Sequence, residues 1–314
     1  MIETIQNTQQ WMQDTHCTGA HVGLKELLYY KRKAALLSLV PKQKIKSASA
    51  GQYLAPQKGR GMEFAEVRQY QYGDDIRAID WRVTARTGEA HTKLFQEEKE
   101  RPVFVLTDLS SSMVFGSQLL LKSVQACHLS ALLAWSTCAR GDRLGGIVFS
   151  EFGHHELKPT ARDKGVLALC HQLVDVHNIA LDNRDTPMPS KFADNLKRLA
   201  HLAKPGSMVY LISDFSQLDD SSFKQLERLS RHCELIGCHI SDPFEHQLPA
   251  YKDAVKVYAG STDWTLPLMD KTFRSRYAEK AAEQFQSRLA RLRRAGMQMR
   301  TFSAAQPLEQ QLHR

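Results

Sequence analysis

The stretch Arg101-Pro-Val-Phe-Val-Leu-Thr-Asp108-Leu-Ser110-Ser-Ser112-Met113 constrains this chain more than any other, because an apolar run stops at a carboxylate and a cluster of hydroxyls. Five of the six residues from Pro102 to Thr107 are apolar, with β-branched and aromatic members, which predicts a strand buried on both faces. Such strands lie at the centre of α/β sheets, whose ligands bind in the crevice beyond the carboxyl ends of the strands. Asp108, Ser110 and Ser112 then stand at that crevice. They offer oxygen atoms only, which suits a hard cation such as Mg²⁺. A helix cap would account for one of these side chains, not for all three.

The rest of the chain supports a globular α/β reading. Of its 314 residues, 42% are hydrophobic and 24% charged, enough for a sizeable core. Its six cysteines form no Cys-x-x-Cys pair and no Cys/His spacing for zinc, so they read as small core hydrophobes in a reducing compartment. No run of apolar residues is long enough to span a membrane, and the N-terminus lacks the regions of a signal peptide, so a cytoplasmic location is expected. The formal charge of +8 is concentrated in Lys31–Lys46 and Arg288–Arg294. Such patches can attract nucleic acid, anionic lipid or an acidic partner. No aromatic-interleaved basic motif supports a nucleic-acid role, and solvated helix faces explain the patches.

Taken in order, the chain opens with a basic amphipathic helix expected over Val22–Val40, stopped by Pro41. A loop rich in Ser, Ala, Gly and Lys follows over Ser47–Gly61. Gly61–Glu98 is dense in charges and aromatics, with a turn at Gly73-Asp74-Asp75 and enough alternating charge for an ion-pair network. A long helix buried nearly all round is expected over Gln118–Ala139, then strands Arg143–Ser150 and Glu151–Lys158. A helix over Ala161–Val174 leads into a loop, Asp175–Pro189, that contains Thr186. Ser190 caps the next helix, Met208–Ser213 is a second buried strand ending at Asp214, and Asp219 or Asp220 opens another helix. Leu235–Ile240 forms a further strand. Asp270 caps a last long helix stopped by Gly296, and Met297–Phe302 is an edge strand. Alternating strands and helices predict a doubly wound, mostly parallel α/β sheet with helices on both faces and an N-terminal extension. The segments are 1–50, a helical basic region; 51–100, a charged and aromatic segment packed on the core; and 101–314, the α/β domain.

Several chemistries compete for a strand-terminal aspartate. A phosphoryl-transfer nucleophile of the haloacid-dehalogenase kind needs a second acid two residues on, where this chain has Ser110. A dinucleotide site needs Gly-x-Gly-x-x-Gly, and a Walker site needs Gly-x-x-x-x-Gly-Lys-Ser/Thr; neither occurs. Asp108-x-Ser110-x-Ser112 resembles the metal-ion-dependent adhesion site of von Willebrand factor A domains. Upstream stand Glu63-Phe64-x-Glu66-x-Arg68-x-Tyr70, Gly73-Asp74-Asp75-x-Arg77-x-Ile79-Asp80-Trp81 and Thr84-Ala85-Arg86, and downstream Ser112-Met113-x-Phe115-Gly116. Together they closely resemble the bacterial family called domain of unknown function 58, over roughly Gly51 to Pro249.

This resemblance implies a von Willebrand factor A-like fold. It also implies that Ser110, Ser112 and the loop residue Thr186 ligate Mg²⁺, or Mn²⁺ or Ca²⁺, with Asp108 and Asp214 holding coordinated waters. Members of the family resemble adaptors of MoxR-type AAA+ ATPases, so the expected function is a non-enzymatic, metal-dependent protein-interaction module. Neutral first ligands would leave the ion enough charge to attract a partner's carboxylate. The alternative is a metal-dependent phosphoesterase, for which His154, His155 and His171 are the extra candidates; surface or core roles explain those histidines.

Overall fold

A computed structural model describes residues 2–37, 62–97, 101–186, 188–252, 255–259 and 262–312. Helices α1 (Ile2–Thr15) and α2 (Leu24–Tyr29) come first, α2 running on as a 3₁₀ turn over Tyr30–Leu36. Then follow β1 (Met62–Gln69), α3 (Trp81–Thr87), β2 (His91–Glu97), β3 (Val103–Asp108), α4 (Lys122–Ala139), β4 (Leu144–Ser150), β5 (Gly153–Thr160) and α5 (Asp163–Asp182). The remainder is α6 (Phe192–Leu202), β6 (Met208–Ser213), α7 (Asp220–Ser230), β7 (Glu234–Ser241), α8 (Pro243–His246), β8 (Val255–Ala259), β9 (Thr262–Leu266), α9 (Lys271–Arg294), β10 (Met297–Ser303) and α10 (Leu308–Leu312).

The chain divides into two units, one of residues 1–40 and 101–314 and the other of residues 41–100. In the smaller unit β1 pairs antiparallel with β2, with a register shift between Phe64 and Glu66. Asp80 caps α3 by accepting from the Arg82 and Val83 amides at 3.0 and 3.2 Å, and Gly88, at φ 80°, ends it. The turn at Gly73 is present, with φ 104°. In place of a network, the described side chains form two half-buried pairs, Arg68–Asp74 at 2.7 Å and Lys93–Asp80 at 3.4 Å. The expected Ser47–Gly61 loop lies outside the described residues.

The larger unit is built on a six-stranded sheet in the order β10-β7-β6-β3-β4-β5, parallel except for β5. Strand β3 is central and buried at every position. Its alternate residues feed two cores: Val103 and Val105 pack toward α4, α5 and the N-terminal segment, Phe104 and Leu106 toward α6 and α7. Burial on both faces is why the strand reads as a continuous apolar run rather than an alternating one.

The N-terminal segment belongs to this core. Leu27 and Tyr30 are fully buried, Trp135 Nε1 donates to the Leu27 carbonyl at 3.3 Å, and Ser136 Oγ donates to that of Ala34 at 2.6 Å. Lys31 of the basic cluster pairs with Asp163 at 2.6 Å and lies 4.8 Å over the Trp135 ring. Helix α5 overruns its expected end at Val174 by two turns, so residues 175–182 are helical. Val176, Ala180 and Leu181 extend its apolar stripe, and that burial outweighs the loop signal of Asp175, Asn178 and Asp182. The return strand starts at Gly153, leaving Glu151 in the turn before it. The β8–β9 hairpin and helices α1 and α10 were not expected. All six cysteines are free, five of them buried. Among the described residues, no helix is long and apolar enough to cross a membrane.

Candidate functional site

Numbering only the strands of this sheet in chain order, their spatial order is 3-2-1-4-5-6, which places a topological switch between β3 and β6. The chain leaves β3 toward β4 and β5, then returns to the other side of β3 as β6. The crevice at that switch is where Asp108, the last residue of β3, and Asp214, just after β6, come together. Acids also follow the neighbouring parallel strands: Glu151 after β4 and Asp242 after β7. All four are buried. Glu151 and Asp242 were not expected in the site, yet the signal was the same one that singled out Asp108, an acid where an apolar strand ends.

Each acid has a defined task. Asp108 Oδ1 accepts from the Ser110 amide at 3.0 Å and Oδ2 from Ser213 Oγ at 2.6 Å, so β3 and β6 are tied across the switch. Glu151 clamps the loop after β3, accepting from the Ser111 amide at 2.9 Å and its hydroxyl at 2.8 Å. Asp242 holds the far end of that loop through Ser117, whose amide and hydroxyl donate at 2.8 and 2.5 Å. The loop is therefore fixed at both ends before any ligand arrives, and Ser110 Oγ and Ser112 Oγ lie 3.4 Å apart. Asp214 accepts from the Ser216 amide at 2.9 Å and from Lys122 Nζ at 2.7 Å. Lys122, at the start of α4, is 1% exposed and also reaches Glu245 at 2.5 Å. Sequence reasoning missed it because one lysine opening an apolar helix reads as a solvated end.

Burial, and then the Asp214 charge, push the Asp108 carboxyl up to about 6. Burial would raise Asp214 as well, but the Lys122 ammonium holds it below the usual carboxylate range. Asp108 is thus the group whose charge lacks a counterion, and it sits beside two hydroxyls. The Ser110–Ser112 spacing is near the ~3 Å edge of an octahedron with bonds of 2.0–2.1 Å. This donor set fits a hard divalent cation, with Asp108, Ser110 and Ser112 available and Asp214 already committed to Lys122. Thr186 stands apart: it is exposed, its amide donates to the Asn183 carbonyl at 2.9 Å, and its side chain bonds to none of the other four expected residues. An open cavity of ≈ 450 Å³ adjoins Asp214 and is lined by His239, Glu245, Tyr277 and Arg288 among others.

The family described as Protein of unknown function DUF58 matches residues 66–287. The chain belongs to this family. Proteins similar to it include uncharacterised proteins of Mycobacterium tuberculosis and Mycobacterium bovis, each 28% identical over 255 residues, covering 80% of this chain and 78% of theirs. A Bacillus subtilis protein, YeaD, is 41% identical over 51 residues, which are 16% of this chain and 13% of its own. Among solved structures, BatB of Bacteroides thetaiotaomicron matches 62% of this chain and 98% of its own at 12% identity and TM-score 0.39. The SpRpn10 VWA domain matches 68% and 94% at 11% identity and TM-score 0.37. The larger unit of this DUF58 chain carries its strand-terminal acids at the switch point of its mostly parallel sheet.

Proposed function

We propose that this DUF58 protein is a metal-dependent protein-interaction module, an adaptor or co-chaperone for a MoxR-type AAA+ ATPase. It captures a carboxylate of its partner through Mg²⁺ held at Asp108, Ser110 and Ser112. The observation that carries this reading is the buried, uncompensated Asp108 carboxyl beside two hydroxyls on a loop clamped by Glu151 and Asp242. A bound ion would supply Lewis-acidic attraction of an anionic ligand, and the protein would supply a rigid cradle lined by the hydroxyls of Ser110 and Ser112. Asp214 is held in place by its pair with Lys122, and Thr186 would have to approach from the exposed turn after α5. A cytoplasmic setting suits six unpaired cysteines.

Titration calorimetry with Mg²⁺ and Mn²⁺ tests the metal claim. The wild type should give a saturable heat that disappears in the Ser110→Ala, Ser112→Ala double variant. No heat from the wild type would sink it. For the partner, the purified MoxR-type ATPase of the same cell should bind in Mg²⁺ and be released by EDTA; binding unchanged in EDTA would rule out bridging by the ion.

A further inference from the structure

On the far side of β3 from α6, beneath the N-terminal segment, Cys17, Glu26 and His128 bring three ligand atoms within 4.8 Å of one another, all in buried residues. Cys17 follows α1, Glu26 lies in α2 and His128 is in the middle of α4, so no sequence spacing announces the group. Glu26 Oε1 and His128 Nε2 are 2.5 Å apart, and Glu26 Oε2 accepts from the Gly23 amide at 3.2 Å. Tyr30, whose ring centroid lies 5.1 Å from that of His128, packs beside the group.

We propose that Cys17, Glu26 and His128 form a structural zinc site, which locks the N-terminal segment onto α4. Thiolate, carboxylate and imidazole are the ligand types that zinc accepts in tetrahedral sites. One thiolate and one carboxylate balance Zn²⁺, giving a neutral assembly suited to an apolar core, where an unpaired charge would be expensive. Without metal, burial and then the Glu26 carboxylate keep the Cys17 thiol protonated. Zinc displaces that proton to solvent and enters between Glu26 Oε1 and His128 Nε2. These must part to roughly 3.3 Å, the span of two tetrahedral ligands at 2.0–2.1 Å. The site is independent of Asp108 and of the reading given to it.

The full chain, produced in zinc-supplemented medium and washed with EDTA, should retain about one zinc per chain by elemental analysis. Cys17→Ser and His128→Gln should each drop to background, while the Ser110→Ala, Ser112→Ala variant keeps its zinc. Because the core variants could misfold, the wild type reconstituted with Co²⁺ supplies a second readout, a thiolate-to-cobalt charge-transfer band. Background zinc in the wild type, zinc retained by Cys17→Ser, or a cobalt spectrum without that band would each overturn the proposal.

Discussion

Burial pushes Asp108 and His239 in opposite directions. Asp108 moves from 3.8 up to about 6, and His239 from 6.5 down to about 4, although the Asp214 charge opposes the second shift. For Asp108 the folded value exceeds the unfolded one, so its contribution is fully present below 3.8 and is lost as pH rises through about 6. Asp108→Asn should therefore stabilise the chelator-treated protein near pH ~7 by on the order of 2–3 kcal/mol, a gain that vanishes by pH ~3.5. Urea unfolding at both pH values measures it. For His239 the folded value is depressed, so its stability is present above 6.5 and lost as pH falls toward about 4. His239→Gln should flatten the acid limb of the stability curve between those values, seen as a reduced proton uptake on unfolding. Asp108, Ser110 and Asp214 were legible in the sequence because each sits where a buried strand ends. His239 was not, since its burial depends on Phe215 and Phe285, whose rings lie 6.3 and 5.0 Å from its own.

At the scale of elements, Lys122 joins the start of α4 to the end of β6 and to α8. Replacing it by Met leaves Asp214 buried without its counterion, a loss of about 3–5 kcal/mol. The Lys122→Met, Asp214→Asn double variant should recover most of this, because the uncompensated charge goes with it; a double-mutant cycle by denaturant unfolding reads the coupling. Helix α5 shows where local signals mislead. Its last two turns carry Asp175 and Asp182 on the outside and a half-buried Asn178, and a reading by residue type takes them for a loop. Their buried neighbours Val176, His177 and Ala180 keep it helical, His177 Nε2 bonding the Ala20 carbonyl at 2.9 Å. That extension carries Thr186 to the exposed turn beyond the helix.

For the whole molecule, residues 2–37 are part of the large unit and its core. Val22, Leu27 and Tyr30 are each at most 4% exposed, and burying side chains of this size contributes roughly 1.5–3 kcal/mol apiece. Their sum is comparable to the ~5–15 kcal/mol stability of an ordinary domain. A chain lacking residues 2–37 should therefore lose cooperative thermal unfolding, which calorimetry would show directly. The basic residues of α9 are also partly committed to partners within the chain. Arg288 donates to the Asp214 carbonyl at 3.0 Å, and Arg291 pairs with Asp220 at 2.9 Å. This leaves less of that cluster free for an external anion.

The sequence by itself determined the alternation of strands and helices, the central place of β3 and the acids at the ends of β3 and β6. Strand burial and capping are local properties, written in runs of a few residues. It also carried the family, through motifs between Glu63 and Gly116. Only the tertiary structure decided that Lys122 neutralises Asp214, that Glu151 and Asp242 clamp the serine loop, and that Thr186 stands apart from it. The same holds for Cys17, Glu26 and His128, which meet across more than a hundred residues of chain. The physical reason is common to all of these: charge compensation and ligand geometry depend on distances in space, and in a doubly wound sheet those distances are set by strand order rather than by position along the chain.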